Sequence, residues 1–266
     1  MKRSIWLVAV AGLGMLILGC KGDEKTAEAP PQPAPKAEAP APAATASPAQ
    51  PEAAASAPAE APRVGYDHAL LRPALLKDKA PESYQVKFVT TRGDFTVTVT
   101  RAWAPIGADR FYNLVKHHFY DNASFFRVVP GFVVQVGISA YPPVSAAWEN
   151  ANIKDDPVVA SNKRGYLTYA KTDKPDTRST QLFISLKDNS FLDSMGFAPF
   201  AVVDGKGINV VEMMYEGYGD GPPRGTGPDQ DQISKQGKAY LDKGWPKLDA
   251  IKTATLVGSG GAAQKP

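Results

Sequence analysis

One stretch constrains the chain more than any other: Phe125-Phe126-Arg127-Val128-Val129-Pro130-Gly131-Phe132-Val133-Val134-Gln135-Val136-Gly137. Its aromatic and β-branched residues predict two strands, and Pro130-Gly131 predicts the break between them. A strand with one solvated face alternates polar and apolar residues evenly. Here only Arg127 and Gln135 interrupt the apolar run. The pattern fits an apolar groove with a few placed donors. Taken alone, it fits equally well an edge strand with one snorkelling arginine.

The remainder of the chain sets the context. A net charge of +3 over 266 residues is too mild to argue for nucleic acid or anionic lipid, and no nucleic-acid partner is expected. Cys20 is the single cysteine, which excludes an intrachain disulfide and argues against a cysteine metal site; no metal or other cofactor is expected. Met1-Lys2-Arg3, the apolar run Ile5 to Leu18 and Gly19-Cys20 have the layout of a signal peptide, because the run is short for a membrane span. Ile17-Leu18-Gly19-Cys20 resembles the bacterial lipobox. That resemblance implies removal of residues 1–19 and a diacylglyceryl thioether on Cys20, an anchor that does not span the membrane. Lys21 after the cysteine, where an Asp is absent, favours the outer membrane on its periplasmic side. Ten of the 24 prolines crowd between Pro30 and Pro62, among Ala and Glu and without aromatic residues. Residues 20–62 are therefore expected to be a disordered tether, reaching on the order of 100 Å at about 3.1 Å per residue. Residues 63–83 are transitional, 84–258 form the folded domain, and 259–266 form a flexible tail.

Within the domain, Val86, Phe88, Phe95, Val97 and Val99 alternate with polar residues around Arg92-Gly93-Asp94 and predict a hairpin. Ala104-Pro105 opens a helix whose Ala108, Phe111, Leu114 and Val115 share one face. His117 and His118 close it, and adjacent helical histidines point apart, which weakens a metal reading. Tyr141 to Pro157 reads as a loop, Gly165 to Ala170 and Thr180 to Ser185 as strands, and Phe200 to Asp204 as a short strand. Ile208 to Met214 reads as a second helix, Tyr218 to Gly244 as irregular, and Lys252 to Val257 as a last strand. Many short strands, two helices and no βαβ alternation predict a mainly β fold: a closed eight-stranded antiparallel β-barrel capped by two α-helices.

Four blocks then carry a resemblance in order. Phe125-Phe126-Arg127-Val128-Val129-Pro130-Gly131-Phe132-x-x-Gln135-x-Gly137 resembles the signature of the cyclophilins, the peptidyl-prolyl cis-trans isomerases. Ala104-Pro105 with Phe111 and Leu114 resembles their first helix. Gly165-x-Leu167-Thr168-x-Ala170 and Thr180-Gln181-Leu182-Phe183-Ile184 resemble two of their strands, and Phe191-Leu192-Asp193 with Phe200 resembles a later segment. The resemblance implies an isomerase of Xaa-Pro bonds acting on proline-containing polypeptides, assisting protein folding in the cell envelope as a monomer. Rotation of an Xaa-Pro amide needs no nucleophile; it needs a donor at the amide nitrogen and a seat for the proline ring. Arg127 is the expected donor, with Gln135 as the second catalytic residue. Phe132, Val133, Phe183 and Leu192 are the expected walls of the proline pocket, with Gln181 and the backbone at Ala170 holding the preceding residues.

Several positions depart from the family pattern. Phe191 replaces a tryptophan associated with cyclosporin binding, and the family's pocket histidine has no counterpart in Asp193 to Pro199, a segment one residue longer in which Phe197 is the candidate substitute. Val133 replaces a methionine, Ile138 an aspartate and Lys171 an asparagine. A groove that binds peptides without turnover is the alternative. A hydrolase is disfavoured, since neither Gly-x-Ser-x-Gly nor a Ser, His and Asp set is recognisable.

Overall fold

The structure, a computed structural model, describes residues 65–257. The expected signal peptide, the lipidated Cys20, the tether and the tail lie outside the described residues. The domain opens with two 3-10 turns, His68–Leu71 and Pro73–Leu75, and Leu70 from the first is buried. Its carbonyl accepts a 2.8 Å hydrogen bond from Trp148 Nε1, which fixes this segment to the domain.

Strands β1 (Ser83–Thr90) and β2 (Asp94–Thr100) form the expected hairpin. Gly93 takes φ +130° at its turn, a conformation that favours glycine. Tyr84, Val86 and Phe88 on β1 and Phe95, Val97 and Val99 on β2 all point into the core. Six further strands follow: β3 (Arg127–Val129), β4 (Val133–Val136), β5 (Tyr166–Tyr169), β6 (Leu182–Ser185), β7 (Pro199–Val203) and β8 (Ile251–Val257). All pairings are antiparallel, in the order β3-β4-β6-β5-β7-β2-β1-β8.

Closure differs from the sequence expectation. Among the described residues no ladder joins the two edge strands, β3 and β8, so the sheet is an open half-barrel and not a closed barrel. The seam carries one isolated bridge, Ser124 to Ala250, with Phe125 N–H donating to Asp249 O and Ile251 N–H to Ala123 O, each at 2.9 Å. The cause lies in the long connection before β8. The outward N–H of Val128 on β3 is taken by Gly219 O at 3.3 Å, so a loop occupies the place of a partner strand.

Helices are also more numerous than the two expected. Helix α1 (Pro105–Lys116) follows its periodicity, with Pro at the N-terminus and Ala108, Phe111, Leu114 and Val115 buried. Helix α2 (Pro142–Trp148) lies in the stretch read as a loop, α3 (Gly207–Glu212) is the expected second helix, and α4 (Gln230–Gln236) and α5 (Lys238–Gly244) lie in the stretch read as irregular. Helices α4 and α5 bury one residue each, Ile233 and Leu241, and α2 opens on Pro142-Pro143, so no repeating apolar face marks them in the sequence. The core centres on aromatic rings, with Phe111 5.1 Å from Phe200 and 5.7 Å from Tyr120, and Tyr169 5.2 Å from Phe200. Desolvation raises the Tyr84, Tyr120 and Tyr169 phenols far above their usual range, and they stay neutral. A smaller cluster joins Phe126 and Ile138 to Ile233 on α4 and Leu241 on α5, so these two helices are packed directly beside the Arg127 strand.

Candidate active site

The register of β3 against β4 places Arg127 directly opposite Gln135, and β4 against β6 places Gln135 opposite Phe183. Alternation along these short strands then sends Arg127 and Gln135 to the same face. Arg127 Nη1 donates to Gln135 Oε1 at 3.2 Å, and Gln135 Nε2 donates to Gln181 Oε1 at 2.8 Å. All three side chains are buried, so this polar chain is laid inside apolar surroundings where its hydrogen bonds matter most. The Arg127 guanidinium also lies over the Phe132 ring, 5.8 Å from its centroid.

Beside this network is one apolar cluster made of Phe132, Val133, Ala170, Phe183, Leu192 and Phe197. Every residue expected to line a proline pocket from these positions is in it. Phe197 packs edge-on to Phe183 at 5.8 Å, which joins its ring to the cluster. Lys171 Nζ sits 5.6 Å from that ring and 3.3 Å from Asp155 Oδ2. Phe191 stands apart from the cluster: it is 47 % exposed and stacks on Phe132 at 6.2 Å, forming a rim. Ala170 N–H is bonded to Gln181 O at 2.9 Å, which ties the two stretches expected to hold the flanking peptide. Gly137 ends the motif at φ +114°, and a Cβ there would lie 2.5 Å from Thr180 O and 2.7 Å from Gln181 Cα. Glycine is what lets the Gln135 strand approach the Gln181 segment this closely.

Two polar side chains support this cluster from outside it. Asn189 is fully buried and its Nδ2 donates to Phe132 O at 2.9 Å, fixing the backbone of a pocket wall. Asp193 accepts from Asn162 N–H at 3.0 Å and from Asn162 Nδ2 at 2.7 Å, while the same Nδ2 donates to Phe197 O at 2.8 Å.

One residue was missed altogether. Asp220 accepts from Arg127 Nε at 2.7 Å and from Nη2 at 3.1 Å. Burial alone would raise the Asp220 pKa, but the hydrogen bond and charge of Arg127, then the Gly221 N–H and Arg224, outweigh it and hold the carboxyl below its usual range. Nothing in local spacing points to a partner 93 positions away. The one available signal was general: a buried guanidinium needs a counter-charge.

This arrangement offers a fixed cationic donor, an amide chain beside it and an apolar seat within reach of both. Residues 85–236 match the model of the cyclophilin type peptidyl-prolyl cis-trans isomerase/CLD family. The chain is 33% identical over 145 residues to a peptidyl-prolyl cis-trans isomerase of Acinetobacter baylyi, an alignment covering 53% of this chain and 76% of that protein. It is 31% identical to the peptidyl-prolyl cis-trans isomerase A of Dickeya dadantii, over 51% of this chain and 73% of that one. Against the peptidyl-prolyl cis-trans isomerase B of Escherichia coli it is 32% identical, over 46% of this chain and 80% of that one. With more than half of its length matched and the Arg127 and Gln181 strands inside the matched span, this chain belongs to the cyclophilin-type peptidyl-prolyl cis-trans isomerase family.

Proposed function

We propose that this chain is a peptidyl-prolyl cis-trans isomerase whose active centre is the groove between Arg127 and the Phe132 cluster. Family membership and three bacterial relatives bearing that activity support the reaction. The observation that carries the site is the hydrogen-bonded run from Arg127 through Gln135 to Gln181, beside the apolar cluster.

The barrier to Xaa-Pro rotation is roughly 18–20 kcal/mol and comes from amide resonance. Twisting the bond returns a lone pair to the proline nitrogen, and a donor held at that nitrogen favours the twisted state over either planar one. Arginine has five N–H donors. Three of those on Arg127 are engaged by Asp220 and Gln135, which leaves two for substrate. Phe132, Phe183, Leu192 and Phe197 seat the ring, and Gln135 and Gln181 hold the peptide before it while the following residues turn. Each ~1.4 kcal/mol of stabilisation selective for the twisted amide gives tenfold in rate. No proton needs to move.

A chromogenic Xaa-Pro peptide assay tests the reading; no acceleration over buffer overturns it. The clients we propose are envelope polypeptides. The lipobox-like Ile17-Leu18-Gly19-Cys20 and the proline-rich 20–62 stretch support a lipid anchor at the outer membrane's periplasmic side. Labelled palmitate incorporated by the wild-type chain and not by Cys20→Ser is the expected result, and equal labelling refutes the anchor.

A further inference from the structure

We propose that Asp220 is the positioning residue of this isomerase, the group that sets the plane of the Arg127 guanidinium before substrate arrives. The proposal rests on the assignment of Arg127 as the catalytic donor. It is carried by the geometry of the long connection between α3 and β8.

Arginine has a long side chain with about 2 kcal/mol of rotamer entropy. Gln135 alone holds it weakly, through one 3.2 Å bond to Nη1. Asp220 takes the other edge of the guanidinium with two bonds, to Nε and Nη2, at 2.7 and 3.1 Å. A two-point carboxylate contact fixes the plane of the fork, which a single acceptor cannot do. Gripping that edge also leaves the remaining donors as the ones that meet the amide.

The loop is built to present this one carboxylate. A Cβ on Gly225 would lie 2.2 Å from Asp220 O and 2.7 Å from Asp220 N, and one on Gly227 would lie 2.8 Å from Asp220 O. Only glycines at both places let the chain wrap so closely around the Asp220 backbone. Gly227 N–H donates to Asp220 O at 2.9 Å, and Gly221 N–H donates to Asp220 Oδ1 at 2.8 Å. Gly219 O, one residue earlier, accepts from Val128 N–H, next to Arg127 itself. Beyond the loop, Ile233 and Leu241 are packed on Phe126 and Ile138. This connection is thus bonded to the Arg127 strand at side chain, backbone and core, and its carboxylate arrives already oriented.

Steady-state kinetics on the full chain with an Xaa-Pro peptide test this. A displacement of about 1 Å at a reacting group can cost on the order of 100-fold. Asp220→Ala is expected to lower kcat about tenfold or more with KM within about twofold, and Asp220→Asn, which keeps one acceptor, to fall between it and the wild type. Gly225→Ala keeps the carboxylate but displaces its backbone, and it should lose kcat in the same way. A residue that merely held the loop down would change KM and Tm together and spare kcat. Unchanged or raised kcat in folded Asp220→Ala and Asp220→Asn overturns the proposal. An inactive wild type overturns the isomerase reading as well; an active wild type that needs Arg127 but not Asp220 overturns this inference alone.

Discussion

Replacing Arg127 by Ala separates chemistry from stability, because the structure sets different magnitudes for the two. The guanidinium is 7% exposed and satisfies both oxygens of Asp220 and Oε1 of Gln135. Its removal leaves those acceptors short of partners, at roughly 1–3 kcal/mol for a buried unsatisfied group. Asp220 keeps the Gly221 N–H at 2.8 Å and has Arg224 at 3.8 Å, so the loss belongs near the lower end. A domain of this size then loses roughly 2–10 °C in Tm. With ordinary stability of about 5–15 kcal/mol, nearly all molecules remain folded at 25 °C. Activity is on another scale. Deleting a preorganised donor to a transition state costs about 2.7–4 kcal/mol, or 100- to 1,000-fold. The assay is protease-coupled cleavage of a chromogenic Xaa-Pro peptide, with far-UV circular dichroism and Tm measured on the same samples. The Arg127→Ala, Asp220→Ala double variant removes the stranded carboxylate and should regain Tm without regaining activity. Retention of more than about a third of wild-type kcat/KM, or recovery of activity in the double variant, refutes the role given to Arg127.

Three further outcomes are expected. Gly137→Ala drives a Cβ into Thr180 O and Gln181 Cα and should cost about 2 kcal/mol or more, with lower Tm and reduced kcat/KM; a neutral substitution would show the close approach is not needed. Phe191→Ala removes a half-exposed rim ring and should cost about 1 kcal/mol or less while raising peptide KM a few-fold, and an unchanged KM sinks the rim assignment. Asp109 accepts from Arg101 Nε and Nη2 and from Ala80 N–H; burial pushes its pKa up, and these bonds bring it below the usual value. Its folded pKa is the lower one, so its stabilisation is full above the unfolded value near ~3.9 and fades as pH falls through the folded value. Asp109→Asn should therefore lower Tm at pH 7 and shrink the Tm loss on acidification, and parallel Tm–pH curves for the two proteins would contradict this.

What was legible in the chain divides by the range of the interactions. The β1–β2 hairpin and α1 were readable because their periodicities are local and long enough to register. The pairing of Arg127 with Gln135 was readable because a short break joins adjacent strands, leaving little freedom of register. Phe132, Phe183 and Leu192 were singled out through resemblance, since taken singly they look like any core residues, and the structure brings them into one cluster. Barrel closure failed because it depends on what lies beside β3, and Gly219 belongs to a stretch without periodicity. Asp220 failed for the same reason: its role is created by a tertiary contact, and glycine-rich charged sequence reads as solvent-exposed loop. Asn189 precedes the 3-10 turn Ser190–Met195, a place where Asn is ordinary turn chemistry, so its side-chain support of Phe132 has no sequence signal.

The position of β8 has a consequence for how the molecule comes into being. Gln85, near the start of the sheet, pairs with Val257, at the end of the described chain, and β1 runs between β2 and β8 along most of its length. One side of β1 therefore has no partner until nearly the whole domain has left the ribosome. Loop-closure entropy must be met before this longest-range pairing returns any stability, which makes it a slow step. Until then the chain displays an unpaired strand edge rich in Val and Phe, a surface on which copies of the nascent domain can associate. This isomerase thus has a slow folding step of its own, set by the topology of its sheet.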